Sequence, residues 1–113
     1  MDREELPDWP KCRRGAYIYI LALGRDGLYK VGKTVEIQRR IKDLSAANPS
    51  ANLVGYGWVP NPRAVEANIH WLFGEQRATR EVFRFGRRDL REIGRMIERA
   101  GGLAGGEIGE EDQ

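Results

Sequence analysis

The sequence predicts an α/β (α+β) domain, with a small, mainly antiparallel three-stranded sheet flanked by helices. Three observations carry this reading. Residues 16–23, AYIYILAL, are almost continuously apolar and rich in β-branched and aromatic side chains, as a buried central strand requires. Gly24-Arg25-Asp26-Gly27 follows, and its Asp-Gly step is a hairpin signal. Further along, apolar residues recur at helical spacing in three separate stretches.

In chain order, Leu28 to Gly32 reads as the second strand of the hairpin. Thr34 is a good N-cap, with Glu36 in the first turn favouring the helix dipole. Ile37, Ile41 and Leu44 make one apolar stripe, which ends near Asn48, before Pro49. Leu53 to Val59 forms a third strand interrupted by Gly55 and Gly57. Asn61-Pro62 is an N-cap followed by proline at the first helical position. The helix it opens carries Val65, Ile69, Leu72 and Phe73 on one side and ends at Gly74. Glu81 to Phe85 is a short extended piece. A last helix opens at Arg88 or Asp89, with Leu90, Ile93 and Ile97 facing inward. The order is ββαβα(β)α.

At 113 residues there is room for one domain. Residues 15–100 form it; 1–14 read as an irregular arm and 101–113 as a flexible acidic tail. No apolar run approaches the roughly 18 residues of a membrane span, and Met1 to Pro10 are acidic, without the apolar stretch of a secretory signal. The lone Cys12 excludes an internal disulfide and a zinc finger, so a cytoplasmic protein is expected. The net charge of +2 hides an asymmetry. Residues 1–10 carry −3 and 101–113 carry −4, whereas 11–100 carry +9. A basic body with acidic ends fits a polyanion binder. Of the 19 basic residues 15 are arginine, which suits phosphate contacts, though a GC-rich genome produces the same bias.

Several residues form a constellation with chemical content. Tyr17 and Tyr19, two apart on the first strand, share a face. Across the turn lies Tyr29-Lys30-Val31-Gly32-Lys33-Thr34, where the glycine permits close approach. Arg40 lies on the first helix, and Glu66 and His70 share a face of the second at i, i+4. Phosphodiester hydrolysis needs such groups: a carboxylate for a divalent ion, cations for the developing charge, and a base for water.

The pattern Tyr17-Ile18-Tyr19, Lys30-Val31-Gly32-Lys33-Thr34, Arg40, Glu66 resembles the GIY-YIG nuclease superfamily. More narrowly, it is similar to the compact phage and bacterial branch whose second motif reads K-[IV]-G-x-T. Arg40 to Leu44 fits that branch's R-x-x-x-L; Glu66, Ile69, His70 and Phe73 fit E-x-x-[LI]-H-x-x-F; Arg80, Glu81 and Phe83 fit the closing [G/R]-E-x-F. The resemblance covers about residues 15–86, and its motifs are weak singly but strong in order. It implies a metal-dependent endonuclease acting on nucleic acid, with DNA as the expected partner. Glu66 then falls at the position that holds one Mg²⁺ or Mn²⁺, and Arg40 at that of the arginine steadying the scissile phosphate. Tyr19 matches the first-motif tyrosine, with Tyr17 as the other candidate, and Lys33 matches a lysine of some relatives. Lys30 stands where the usual second motif has tyrosine, with Tyr29 one residue earlier on the other face. The proton acceptor is then Tyr19, Lys30 or His70. Lys33, Arg39, Arg84, Arg87 and Arg88 are expected to meet the nucleic-acid backbone.

Each residue also has a plainer role open to it. Tyr17 and Tyr19 suit a strand core, Arg39, Arg40 and Glu66 suit a solvated helix surface, and His70 suits an ordinary helix position. Lys30 is harder to dismiss, because a charge within an apolar hairpin needs a partner. Trp58 and Trp71 are candidates for stacking on bases, with core filling favoured. The alternative function is a nuclease-like fold kept as a catalytically weak or inactive nucleic-acid-binding or protein-interaction module. A homodimer that cuts both strands and a monomeric nickase are both compatible with a domain of this size.

Overall fold

The computed structural model describes residues 15–24, 26–100 and 104–106. Strands β1 (Ala16–Ala22), β2 (Leu28–Thr34) and β3 (Asn52–Val59) form the centre of one antiparallel sheet. Three-residue strands β4 (Arg77–Thr79), β5 (Val82–Arg84) and β6 (Ala104–Gly106) extend it, in the order β4-β5-β2-β1-β3-β6. Helices α1 (Ile37–Ala47), α2 (Pro62–Leu72) and α3 (Arg87–Arg99) complete the fold. The expected three-stranded sheet is thus the core of a wider one. The extended piece expected at Glu81 to Phe85 is β5, whereas β4 and β6 are too short to show a period-2 pattern. Ala104–Gly106, within the stretch read as flexible tail, pair antiparallel with Gly55–Gly57 of β3. The remaining residues of that tail, and the arm 1–14, lie outside the described residues.

The β1–β2 hairpin closes as its sequence demands. Leu23 N–H donates to Leu28 O at 2.9 Å, and Gly27 takes φ 75°, a conformation that favours glycine. Alternation along β1 then divides the core in two. Ile18 and Ile20 face α2 and α3, packing with Val31, Ile69, Phe83 and Ile93. Tyr17, Tyr19 and Leu21 face the other way, with Ile37 of α1, Tyr56 and Trp58. A register shift after Ile20 inserts Val54 into β3 and returns Leu53 to the tyrosine side.

Helix boundaries follow local chemistry. Asn61 Oδ1 accepts from Ala64 N–H at 3.2 Å, with Pro62 in the first turn, as expected. Thr34 is not the cap of α1: it is the last residue of β2, and its Oγ1 accepts from Glu36 N–H at 3.1 Å. Glu36 is the N-cap instead, because this hydroxyl turn closes two residues before helical geometry begins. For α3 the cap is Gly86, whose N–H donates to Asp89 Oδ2 at 2.8 Å. Leu72 was expected inward, but it is 52% exposed, since Val65, Ile69 and Phe73 suffice to cover the sheet. Trp71 is 81% exposed and fills no core, while Trp58 is buried against Tyr17.

Candidate functional site

The sheet leaves a notch on β2. Strand β5 pairs only with Leu28, Tyr29 and Lys30, and Val31 N–H donates to Glu81 O at 3.0 Å. Beyond that point Gly32, Lys33 and Thr34 pair with β1 on one side and with no strand on the other among the described residues. An edge without a neighbour lets side chains from both sheet faces approach one another. Most of the residues singled out in the sequence gather there.

On the α2 face, Lys33 pairs across the sheet with Ile18, and its ammonium donates to Glu66 Oε1 at 3.0 Å. The Glu66 side chain is 15% exposed and that of Lys33 45%, so the carboxylate is the more sheltered partner. On the tyrosine face, Lys30 lies opposite Leu21 and donates to Glu81 Oε1 at 2.9 Å. This is the partner that a charge in an apolar hairpin needs. The Glu81 carboxyl is held below its ordinary 4.5, first by the hydrogen bond from Lys30, against an opposing effect of burial; His70 and Lys33 contribute weaker attraction.

Tyr19 lies between the two ion pairs. It sits directly across from Gly32, and a methyl group at residue 32 would collide with its phenol. The glycine is therefore explained by the tyrosine ring beside it. Burial raises the Tyr19 pKa above 10.0, with Lys30 and Arg40 pulling the other way and Glu81 and Glu66 adding to the rise. All four charged groups thus act electrostatically on one phenol, which stays protonated at neutral pH.

Arg40 is exposed near the start of α1 and lines an open cleft with Thr34, Val35, Glu36, Arg39 and Asp43. Arg39 reaches Glu36 Oε1 at 3.4 Å at the same cleft. His70 stacks edge-on to Phe83, with ring centres 5.0 Å apart, and its Nε2 is enclosed without a hydrogen-bond partner among the described residues. Tyr17, also buried, packs edge-on to Trp58 at 5.0 Å and Tyr56 at 6.1 Å and so belongs to the aromatic core of this sheet face.

The arginines Arg84, Arg87 and Arg88 lie elsewhere. Arg84 pairs with Leu28 at the hairpin end of β2, and its guanidinium donates to Asp26 O at 3.0 Å. Arg87 and Arg88 open α3 just beyond it, both exposed. Strand geometry puts Leu28 about 17 Å from Lys33 along β2. These three form a separate basic patch. Glu81 stands in the closing motif, but the sequence pattern assigns it no role at the site. Its signal was Lys30, which had to have an acidic partner.

The fold and this edge define a small α+β domain presenting paired cations and carboxylates around one buried tyrosine. The chain belongs to the T5orf172 domain family, whose profile matches residues 16–98. No curated protein and no solved structure matches it. No helix among the described residues is long and apolar enough to cross a membrane.

Proposed function

We propose that this domain is a divalent-metal-dependent endonuclease of the GIY-YIG type that hydrolyses phosphodiester bonds in DNA. The observation that carries the reading is the convergence on Tyr19 of Lys30, Arg40, Glu66 and Glu81 at an open sheet edge. An exposed edge admits an extended phosphate backbone, and the surrounding cations match its charge.

The donor set fits Mg²⁺ or Mn²⁺ held by a single protein carboxylate. Such ions commonly take one or two carboxylates and complete their shell with water and substrate phosphate. Glu66 is the residue to hold the ion: its side chain is sheltered, and the Lys33 contact is through Oε1. The described residues contain no cluster of three or more His, Cys, Asp or Glu, so an all-protein cage is not among them. When bound, the ion supplies Lewis-acid stabilisation of charge on the phosphoryl oxygens.

The chain's own residues have distinct tasks. Arg40 faces solvent beside the notch and holds the scissile phosphate. Lys33 orients Glu66 and neutralises an adjacent phosphate. Tyr19, protonated, donates a hydrogen bond that orients the attacking water rather than removing its proton. Lys30, oriented by Glu81, balances developing negative charge. The enclosed Nε2 of His70 favours a supporting part for that ring over that of the base.

A second reading has its own observation. Lys33 and Lys30 are already neutralised by Glu66 and Glu81, as in a domain that binds nucleic acid without cutting it. Incubation of supercoiled plasmid and a labelled single strand with Mg²⁺, Mn²⁺ or EDTA separates the two. Metal-dependent cuts support the nuclease, with nicked or linear product reporting one or both strands. DNA retained without cuts in any metal supports the binding module.

A further inference from the structure

The outer face of α2 carries features that the edge site does not use. Trp71 is 81% exposed, an unusual setting for a side chain with so much apolar surface. Arg63, Ala67 and Trp71 are spaced four residues apart, so they form one ridge along the helix. All three are exposed. The ridge adjoins the row that holds Glu66 and His70, and Ala67 leaves a low saddle between its two ends. Arg63 and Trp71 are about 12 Å apart along the helix axis.

The exposed charge along this part of the chain is mainly cationic. Between residues 62 and 80 the exposed charged side chains are Arg63, Glu75, Arg77 and Arg80. Glu66 on the adjoining row is paired with Lys33. An exposed indole and a guanidinium on one ridge fit a chain that alternates flat bases with phosphates. A duplex is a poor match, because its bases have their faces covered by stacking.

We propose that the Arg63–Ala67–Trp71 ridge binds unpaired nucleotides of the substrate, with one base stacked on Trp71 and a backbone phosphate on Arg63. This makes single-stranded DNA, or duplex carrying an unpaired stretch, the preferred substrate class. The proposal rests on the nucleic-acid part of the reading above. It does not require that the domain cut.

The test is fluorescence anisotropy of the full chain in EDTA with a labelled 12-nucleotide single strand and the matching duplex. Wild type is compared with Trp71→Ala, Trp71→Phe and Arg63→Ala. Loss of one base stack corresponds to about tenfold weaker binding. Trp71→Ala is expected to weaken single-strand binding about tenfold and duplex binding less than twofold. Trp71→Phe should keep most of the affinity, and Arg63→Ala should flatten the salt dependence. Unchanged single-strand affinity in Trp71→Ala would overturn the proposal, as would an equal loss on both substrates. Self-association of wild type that Trp71→Ala abolishes, seen by sedimentation without DNA, would assign the face to a second copy and also overturn it. No DNA binding by wild type would overturn it as well. Because EDTA removes turnover, Trp71-dependent binding by a protein that never cuts upholds this proposal while the nuclease reading fails. Cleavage with unchanged Trp71→Ala affinity does the reverse.

Discussion

Lys33 of β2 donates to Glu66 of α2 at 3.0 Å, across the end of the sheet where β5 no longer covers β2. The bond links the hairpin to the helix beside the open edge, where the proposed reaction puts an ion and a phosphate. Because Lys33 is 45% exposed on its side chain, the pair contributes little to stability, on the order of 0.2–1 kcal/mol. Lys33→Met should therefore leave the urea midpoint nearly unchanged while reducing cleavage at least tenfold. A large loss of stability with normal activity would make the pair structural.

Gly32 and Tyr19 are coupled by contact. Gly32→Ala places a methyl into the phenol ring, and overpacking of this kind costs about 1–3 kcal/mol. In a Tyr19→Ala background the same change should cost much less. A double-mutant cycle by urea denaturation measures the difference. Equal costs in the two backgrounds would show that the ring is not what requires the glycine.

Tyr19 should be silent at neutral pH. Burial favours its neutral form in the fold and raises its pKa above 10.0, so the native state holds this proton more tightly than the unfolded chain. Its contribution to stability is complete below pH 10 and is lost as pH rises through the higher native value. Phenolate absorbance, read as wild type minus Tyr19→Phe, should show a titration above that of a free tyrosine. A Tyr19 phenolate forming near pH 7 would restore this residue as the base.

Glu81 has the opposite sign. Its carboxyl is lowered below 4.5 in the fold, chiefly by the Lys30 hydrogen bond. Its contribution is therefore present above pH 4.5 and lost as pH falls through the lower native value. With the side chains of Lys30 and Glu81 27% and 46% exposed, the effect is modest. Glu81→Gln should flatten the acid limb of the stability curve and reduce cleavage by disorienting Lys30. An unaltered acid limb would contradict the pairing.

Much of this architecture was legible in the sequence, for identifiable reasons. The apolar run of β1, the Asp-Gly turn and the Asn61-Pro62 cap are strong local signals, and each marks its element correctly. Thr34 misled because a hydroxyl can close a turn before a helix as readily as it can cap one. Leu72 and Trp71 misled because helical spacing identifies an apolar stripe without fixing how much of it the core needs. The strands β4 and β6 have three residues each, too few for an alternating side-chain pattern to mark them. At the site, the motifs brought Tyr19, Lys30, Lys33, Arg40 and Glu66 forward. Their meeting point depends on where β5 stops, a long-range fact that no local pattern contains.

In the proposed reaction Glu66 holds the ion on which cleavage depends. The most direct test is one preparation of Glu66→Ala assayed beside wild type for Mg²⁺- and Mn²⁺-dependent cleavage of a labelled DNA, and for affinity to the same DNA in EDTA. Cutting is expected to be abolished while affinity and the unfolding midpoint stay close to wild type. Full cleavage by Glu66→Ala would contradict that assignment.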